Sequence, residues 1–137
     1  MIPATLATVL ALLAAVHVYW AIGGAWGKAS SLPEVGGRPA FIPSRGATLL
    51  VAAGLSFGAL VALSRGHLAF SSRPGSLAHW FTLAFGLAFV LRAIGEFRLV
   101  GVFKRVRDTS FARRDTWLFS PLSLLLGVAF LWLAAQP

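Results

Sequence analysis

Residues 77–98 read Leu-Ala-His-Trp-Phe-Thr-Leu-Ala-Phe-Gly-Leu-Ala-Phe-Val-Leu-Arg-Ala-Ile-Gly-Glu-Phe-Arg. The fifteen residues from Leu77 to Leu91 contain no Asp, Glu, Lys or Arg. Apolar character then continues through Val102 and Phe103, interrupted by Arg92, Glu96 and Arg98. Period-two alternation is absent, which argues against a strand. The run predicts a helix over about residues 77–100 that crosses a membrane, since about 20 residues at 1.5 Å each cover about 30 Å of hydrocarbon.

Three runs of the same kind surround it. Ile2 to Ile22 is closed by Gly23, Gly24 and Gly27; Gly46 to Ser64 follows a loop with Pro33, Pro39 and Pro43; Thr116 to Ala135 ends the chain. The expected helices are therefore about 2–23, 46–64, 77–100 and 116–135. A transmembrane β-barrel needs more strands than the length allows. The fold class is all-α: one four-transmembrane-helix bundle over residues 1–137. Residues 1–16 also resemble a signal peptide, but no Lys or Arg precedes the apolar run and it continues into aromatic residues, so a retained first span is expected.

Composition agrees. Of 137 residues, 58% are hydrophobic and 12% charged, against about a quarter charged in soluble domains. A net charge of +8 would suggest nucleic acid in a soluble protein. Here the arginines sit between apolar runs, so lipid headgroups and topology account for them and no nucleic acid is expected. The absence of cysteine excludes thiol redox chemistry, disulfides and thiolate metal sites.

Loop charge predicts orientation. The first loop holds Lys28, Arg38 and Arg45, and the third holds Arg98, Lys104, Arg105, Arg107, Arg113 and Arg114, against Arg65 and Arg73 in the middle loop. That bias places the first and third loops in the cytoplasm of a bacterial inner membrane and both termini outside. Trp80 and Trp132 fit as outer interfacial anchors, and His67 and His79 belong to that same end. Gly54 and Gly58 form a small-residue stripe on the second helix, suited to packing within the chain or to a homodimer.

Three clusters carry chemistry. Arg92 and Glu96 stand four apart, so on a continuous helix they share a face and pair. With the span running to Val100, Arg92 lies roughly 12 Å inside the helix end. Its insertion there costs about 2.5–3.5 kcal/mol, which calls for a partner and a protected setting. The alternative ends the span at Leu91 and leaves the remainder solvated, with Arg98 a snorkelling anchor. The second cluster is His17-Val18-Tyr19-Trp20-Ala21-Ile22-Gly23-Gly24 with Trp26. Its aromatics suit an interfacial belt, whereas His17 is set deeper and is a candidate proton carrier or a satisfied core residue. The third is Phe111-Ala112-Arg113-Arg114-Asp115-Thr116, then Ser120-Pro121-Leu122. Asp115 reads as an N-cap of the fourth helix, and Ser120-Pro121 as a cap or kink. All three clusters face one end of the bundle. Leu32-Pro33 and Phe41-Ile42-Pro43 are apolar enough to fold over it as a lid.

On these clusters the chain resembles the small bacterial membrane proteins of domain of unknown function 3995. The pattern is His-x-Tyr-Trp-Ala-x-Gly-Gly, Arg-Ala-x-Gly-Glu-Phe and Phe-Ala-x-x-Asp-Thr with Ser-Pro-Leu, matched at His17–Gly24, Arg92–Phe97, Phe111–Thr116 and Ser120–Leu122. The resemblance implies four spans and marks these residues as shared features; it carries no activity.

The residues suggest a membrane-embedded enzyme on an apolar, isoprenoid-like substrate, performing isomerisation, cyclisation or hydration. Glu96, His17, Asp115 and Arg92 are the expected catalytic groups. Tyr19, Trp20, Trp26, Lys104 and Phe111 are the expected substrate-binding ones, with aromatic faces toward a developing cation and the basic third loop toward an anionic headgroup. The alternatives are a small proton-linked transporter or channel, and a non-catalytic lipid-binding or accessory protein. His17, Glu96 and Asp115 are acceptable metal ligands, but the paired i, i+4 spacing of a metal helix is missing, so neither metal nor cofactor is expected. Membrane lipids and a lipophilic small molecule are the expected partners.

Overall fold

The computed structural model describes residues 1–67 and 73–136, with His67 limited to its backbone. The side chain of His67, expected at the outer end, is outside the described residues. Four helices are long and apolar enough to cross a membrane: α1 Ile2–Ala21, α2 Arg45–His67, α3 Leu77–Ile94 and α4 Ser110–Ala135. Hydrocarbon offers backbone N–H and C=O groups no partner, so an apolar run there must bond within itself as a helix. Short polar side chains set the starts. Ser44, Ser76 and Thr109 accept from the N–H groups of Ala47, His79 and Ala112 respectively, as N-caps do.

Helix α1 packs along α2 and α3 along α4, and α2 touches α3. The core is Leu6, Leu10, Ala62, Leu126 and Phe130 with neighbouring small residues. Phe130 stacks on Phe85 and Phe89 at 5.4 and 6.1 Å between ring centroids. Gly58 lies under Phe85, where a Cβ would meet the ring at 3.0 Å, while Gly54 has open space around it. Part of the small-residue stripe is thus used within the chain.

Two helix ends differ from the sequence expectation, and both shape the site. Helix α3 stops at Ile94 rather than near Val100, because Gly95 takes φ +86° and ψ −178°, a backbone region almost confined to glycine. Helix α4 starts at Ser110 rather than Thr116. It contains a π-helical turn over Asp115–Phe119, in which the Ser120 N–H donates to the Asp115 carbonyl.

The first loop is ordered by its own bonds. A 3-10 turn, Ala29–Ser31, leads into a two-residue-per-strand hairpin, β1 Glu34–Val35 and β2 Arg38–Pro39, with Glu34 opposite Pro39. Gly36 and Gly37 hold φ +58° and +76°, as a tight turn that matches strand twist requires. The 3-10 turn and β1 lie against the first turn of α4, so this loop folds back over the bundle end. Arg65, counted by sequence as a middle-loop charge, is instead buried within α2. Its Nη2 donates to the Leu133 carbonyl at 2.7 Å and to Gln136 at 3.1 Å, satisfying the C-terminus of α4.

Candidate functional site

A buried ion cluster joins α3, the third loop and α4. The Asp115 carboxylate is fully buried. Oδ1 accepts from Arg92 Nη2 at 2.8 Å; Oδ2 accepts from the Gly101 N–H at 2.8 Å, Lys104 Nζ at 3.1 Å and the Ser120 hydroxyl at 3.1 Å. Lys104 is 2% exposed and also donates to the Gly101 carbonyl at 3.0 Å and Thr116 Oγ1 at 2.7 Å. The π turn explains the Ser120 contact. One extra residue in the turn brings positions five apart into register, so Asp115 and Ser120 meet on the inner face. Both carboxylate oxygens are engaged, Oδ2 by three donors, and the cluster clamps the loop onto the bundle.

The loop is closed a second way. Glu96 accepts from the N–H groups of Arg98, Leu99 and Val100, while the Val102 N–H returns to the Ala93 carbonyl at 2.8 Å. Residues 95–101 thus form a compact loop with touching ends. Gly95 and Gly101 approach so closely that a Cβ on either would overlap the other's backbone.

A separate pocket of 280 Å³ lies at the same end between α1, α2 and the folded first loop. His17, Trp20, Lys28, Ser31, Leu32, Phe41, Pro43, Ala47, Thr48 and Val51 line it, so the expected lid segments do supply walls. His17 Nδ1 bonds the Leu13 carbonyl at 2.8 Å. A carbonyl can only accept, so Nδ1 carries the proton in this bond and Nε2 is left as the second ring nitrogen. Trp20 packs edge-on to His17 at 5.1 Å, and its Nε1 donates to the Trp26 carbonyl at 2.8 Å. Ser31 and Thr48 spend their hydroxyls on the Gly27 and Ser44 carbonyls. Among the described residues, His17 Nε2 and Lys28 Nζ remain as the side-chain polar atoms of this wall without a hydrogen-bond partner.

Residues 10–130 match the family described as protein of unknown function (DUF3995). The chain belongs to that family. No curated protein and no solved structure matches it.

In this DUF3995 chain the sequence candidates divide between two places. The expected Arg92–Glu96 pair does not form: Gly95 breaks the helix between them, Glu96 turns onto its own loop, and Arg92 reaches Asp115 instead. Asp115 is not an N-cap, because Thr109 takes that role and Asp115 lies inside the helix. Lys104 is sealed within the cluster and so is not placed to receive a headgroup. Phe111 is 2% exposed, packs with Phe119 at 6.1 Å and is not among the pocket's lining residues. Tyr19 lies under Gly24, where a Cβ would sit 2.3 Å from the ring, and Trp26 is 81% exposed. Of the aromatic trio, Trp20 lines the pocket. No hydrogen bond or ion pair among the described residues links His17 to Arg92, Glu96 or Asp115, and no three metal-ligating side chains meet.

Sequence reasoning missed Lys28 and Thr48 as wall residues and Lys104 as a buried ion. The sequence carries no signal that separates Lys28 and Lys104 from the ten arginines around them.

Proposed function

We propose that the chain is a multi-pass protein of the bacterial inner membrane that binds a lipophilic molecule in the His17 pocket and exchanges a proton with it. The observation that carries this reading is His17 Nε2, a ring nitrogen without a hydrogen-bond partner among the described residues, in a pocket walled mostly by apolar side chains. A positioned imidazole can take a proton from carbon and return it, which fits isomerisation. Cyclisation and hydration need a second acid close by, and Glu96 and Asp115 are both committed elsewhere. Orientation with both termini outside is supported by loop charge. Setting aside Arg65 and Lys104 as structural removes one charge from each side of that comparison and leaves its direction unchanged.

Non-catalytic binding is the second reading, favoured by the commitment of the Arg92–Asp115–Lys104 cluster to packing. Transport has less support, since Leu6, Leu10, Ala62 and Phe130 fill the bundle centre.

The test begins with protein in phosphatidylcholine nanodiscs, whose bound small molecules are extracted and identified by mass spectrometry. Wild type is expected to retain a lipophilic species. Ala47→Trp, which fills the pocket from the α2 wall, is expected to lose it. In D₂O the wild type should move deuterium onto a carbon of that species, and His17→Gln should do so at least 100-fold more slowly, the lower range of acid–base contributions. Retention of ligand by Ala47→Trp would sink the pocket reading. Equal deuterium uptake by His17→Gln would leave binding and remove the proton chemistry.

A further inference from the structure

The pocket has a second free polar group, and its chemistry narrows the ligand. We infer that the molecule bound at His17 is an amphiphile with an oxyanion head, a carboxylate or a phosphate, held by Lys28. This rests on the pocket assignment above and goes beyond it in naming the ligand class.

Lys28 is half-buried, lines the pocket, and has neither an ion pair nor a hydrogen bond from its ammonium among the described residues. Arg38 in the first loop and Arg45 at the start of α2 are further cations against Glu34 as the loop's single acid, so the local balance is positive. A ligand that closes this pocket removes water from the Lys28 ammonium. Desolvating a charge without a replacement partner is costly, so an apolar or hydroxyl-only ligand is penalised here and an amine repelled. An oxyanion supplies both the charge and the acceptors, and charge-assisted bonds of this kind are the stronger class.

The remaining walls describe the rest of the molecule. Trp20, Leu32, Phe41, Pro43, Ala47 and Val51 offer no free donor or acceptor from their side chains. The 280 Å³ corresponds to roughly nine waters at about 30 Å³ each, room for a head and the first carbons of a chain. Ala47 and Val51 stand one helical turn apart on α2, and Val51 is 48% exposed. The apolar wall therefore runs on into the lipid-facing surface, and a longer tail leaves the pocket into the bilayer.

Three probes sharing one tail separate the possibilities: dodecanoate, dodecyl phosphate and dodecanol, each offered to protein in phosphatidylcholine nanodiscs and read by native mass spectrometry. Wild type should bind at least one of the two acids about tenfold more tightly than the alcohol. Which acid wins distinguishes a carboxylate head from a phosphate. Lys28→Gln should erase the preference, and Lys28→Arg should keep part of it. Dodecanol binding as tightly as both acids, or a preference unchanged in Lys28→Gln, overturns the oxyanion assignment while leaving the pocket intact. Binding of none of the three, or equal binding by Ala47→Trp, overturns the pocket reading itself and this inference with it.

Discussion

An Asp115→Ala chain is expected to lose about 3–5 kcal/mol of stability, the usual cost of removing one partner from a buried ion pair. The arithmetic of the site explains why the loss is large. Two cations and one anion share a space in which Asp115 is fully buried and Lys104 is 2% exposed. Without the carboxylate, Lys104 keeps the Gly101 carbonyl and Thr116 hydroxyl but no counter-charge. The Gly101 N–H and Ser120 hydroxyl lose an acceptor at the same time. Arg92 suffers less, since its side chain is 35% exposed and can turn toward water or headgroups. The double variant Lys104→Met with Asp115→Leu should recover much of the loss, because replacing both ions by apolar side chains removes the uncompensated charge. Thermal and denaturant unfolding of the purified proteins in one detergent would check both statements. A single variant within 1 kcal/mol of wild type would mean that the cluster does not hold the loop.

The four spans were legible because the bilayer enforces them: a run of this hydropathy has few folded solutions. Where the helices end was not legible, and the reasons are local. Leu99, Val100, Val102 and Phe103 look like the continuation of a span. Leu99 and Val100 belong instead to the closed loop of residues 95–101, which Val102 and Phe103 follow, and the N–H groups from Leu99 to Val102 are satisfied by Glu96, Asp115 and Ala93. The i, i+4 reading of Arg92 and Glu96 presupposed an unbroken helix, and Gly95 between them was the sign that it breaks. Asp115 looked like a cap because it precedes an apolar run. Thr109-Ser110 was the better start, hidden behind Arg113 and Arg114, and a π turn leaves no periodic trace because it inserts a single residue. His17 was legible as a residue of interest, but its setting was not. Its pocket is walled by Lys28, Phe41 and Pro43, whose positions depend on how the Gly36–Gly37 hairpin folds the first loop back.

The same closed loop yields the second large effect. Gly95→Ala is expected to cost about 3 kcal/mol, combining one strained backbone position with the hydrogen bonds that depend on it. A Cβ at Gly95 would sit 1.8 Å from the Val100 carbonyl oxygen and 2.6 Å from the Gly101 Cα. Both are backbone atoms, so no side chain can rotate away to make room. The loop would have to open, and opening it pulls the Glu96 carboxylate from the N–H groups of residues 98–100. It also moves the Gly101 N–H off Asp115, so the strain passes into the ion cluster and the two losses are coupled. Gly54→Ala provides the contrast. That glycine is in mid-helix with nothing within 4 Å of a Cβ, and alanine there should stabilise by up to about 1 kcal/mol through helix propensity. Unfolding of the two variants side by side should therefore move in opposite directions. A Gly95→Ala protein as stable as the Gly54→Ala protein would show that residues 95–101 are not drawn into a closed loop, and that the clamp between α3 and α4 rests on the ions alone.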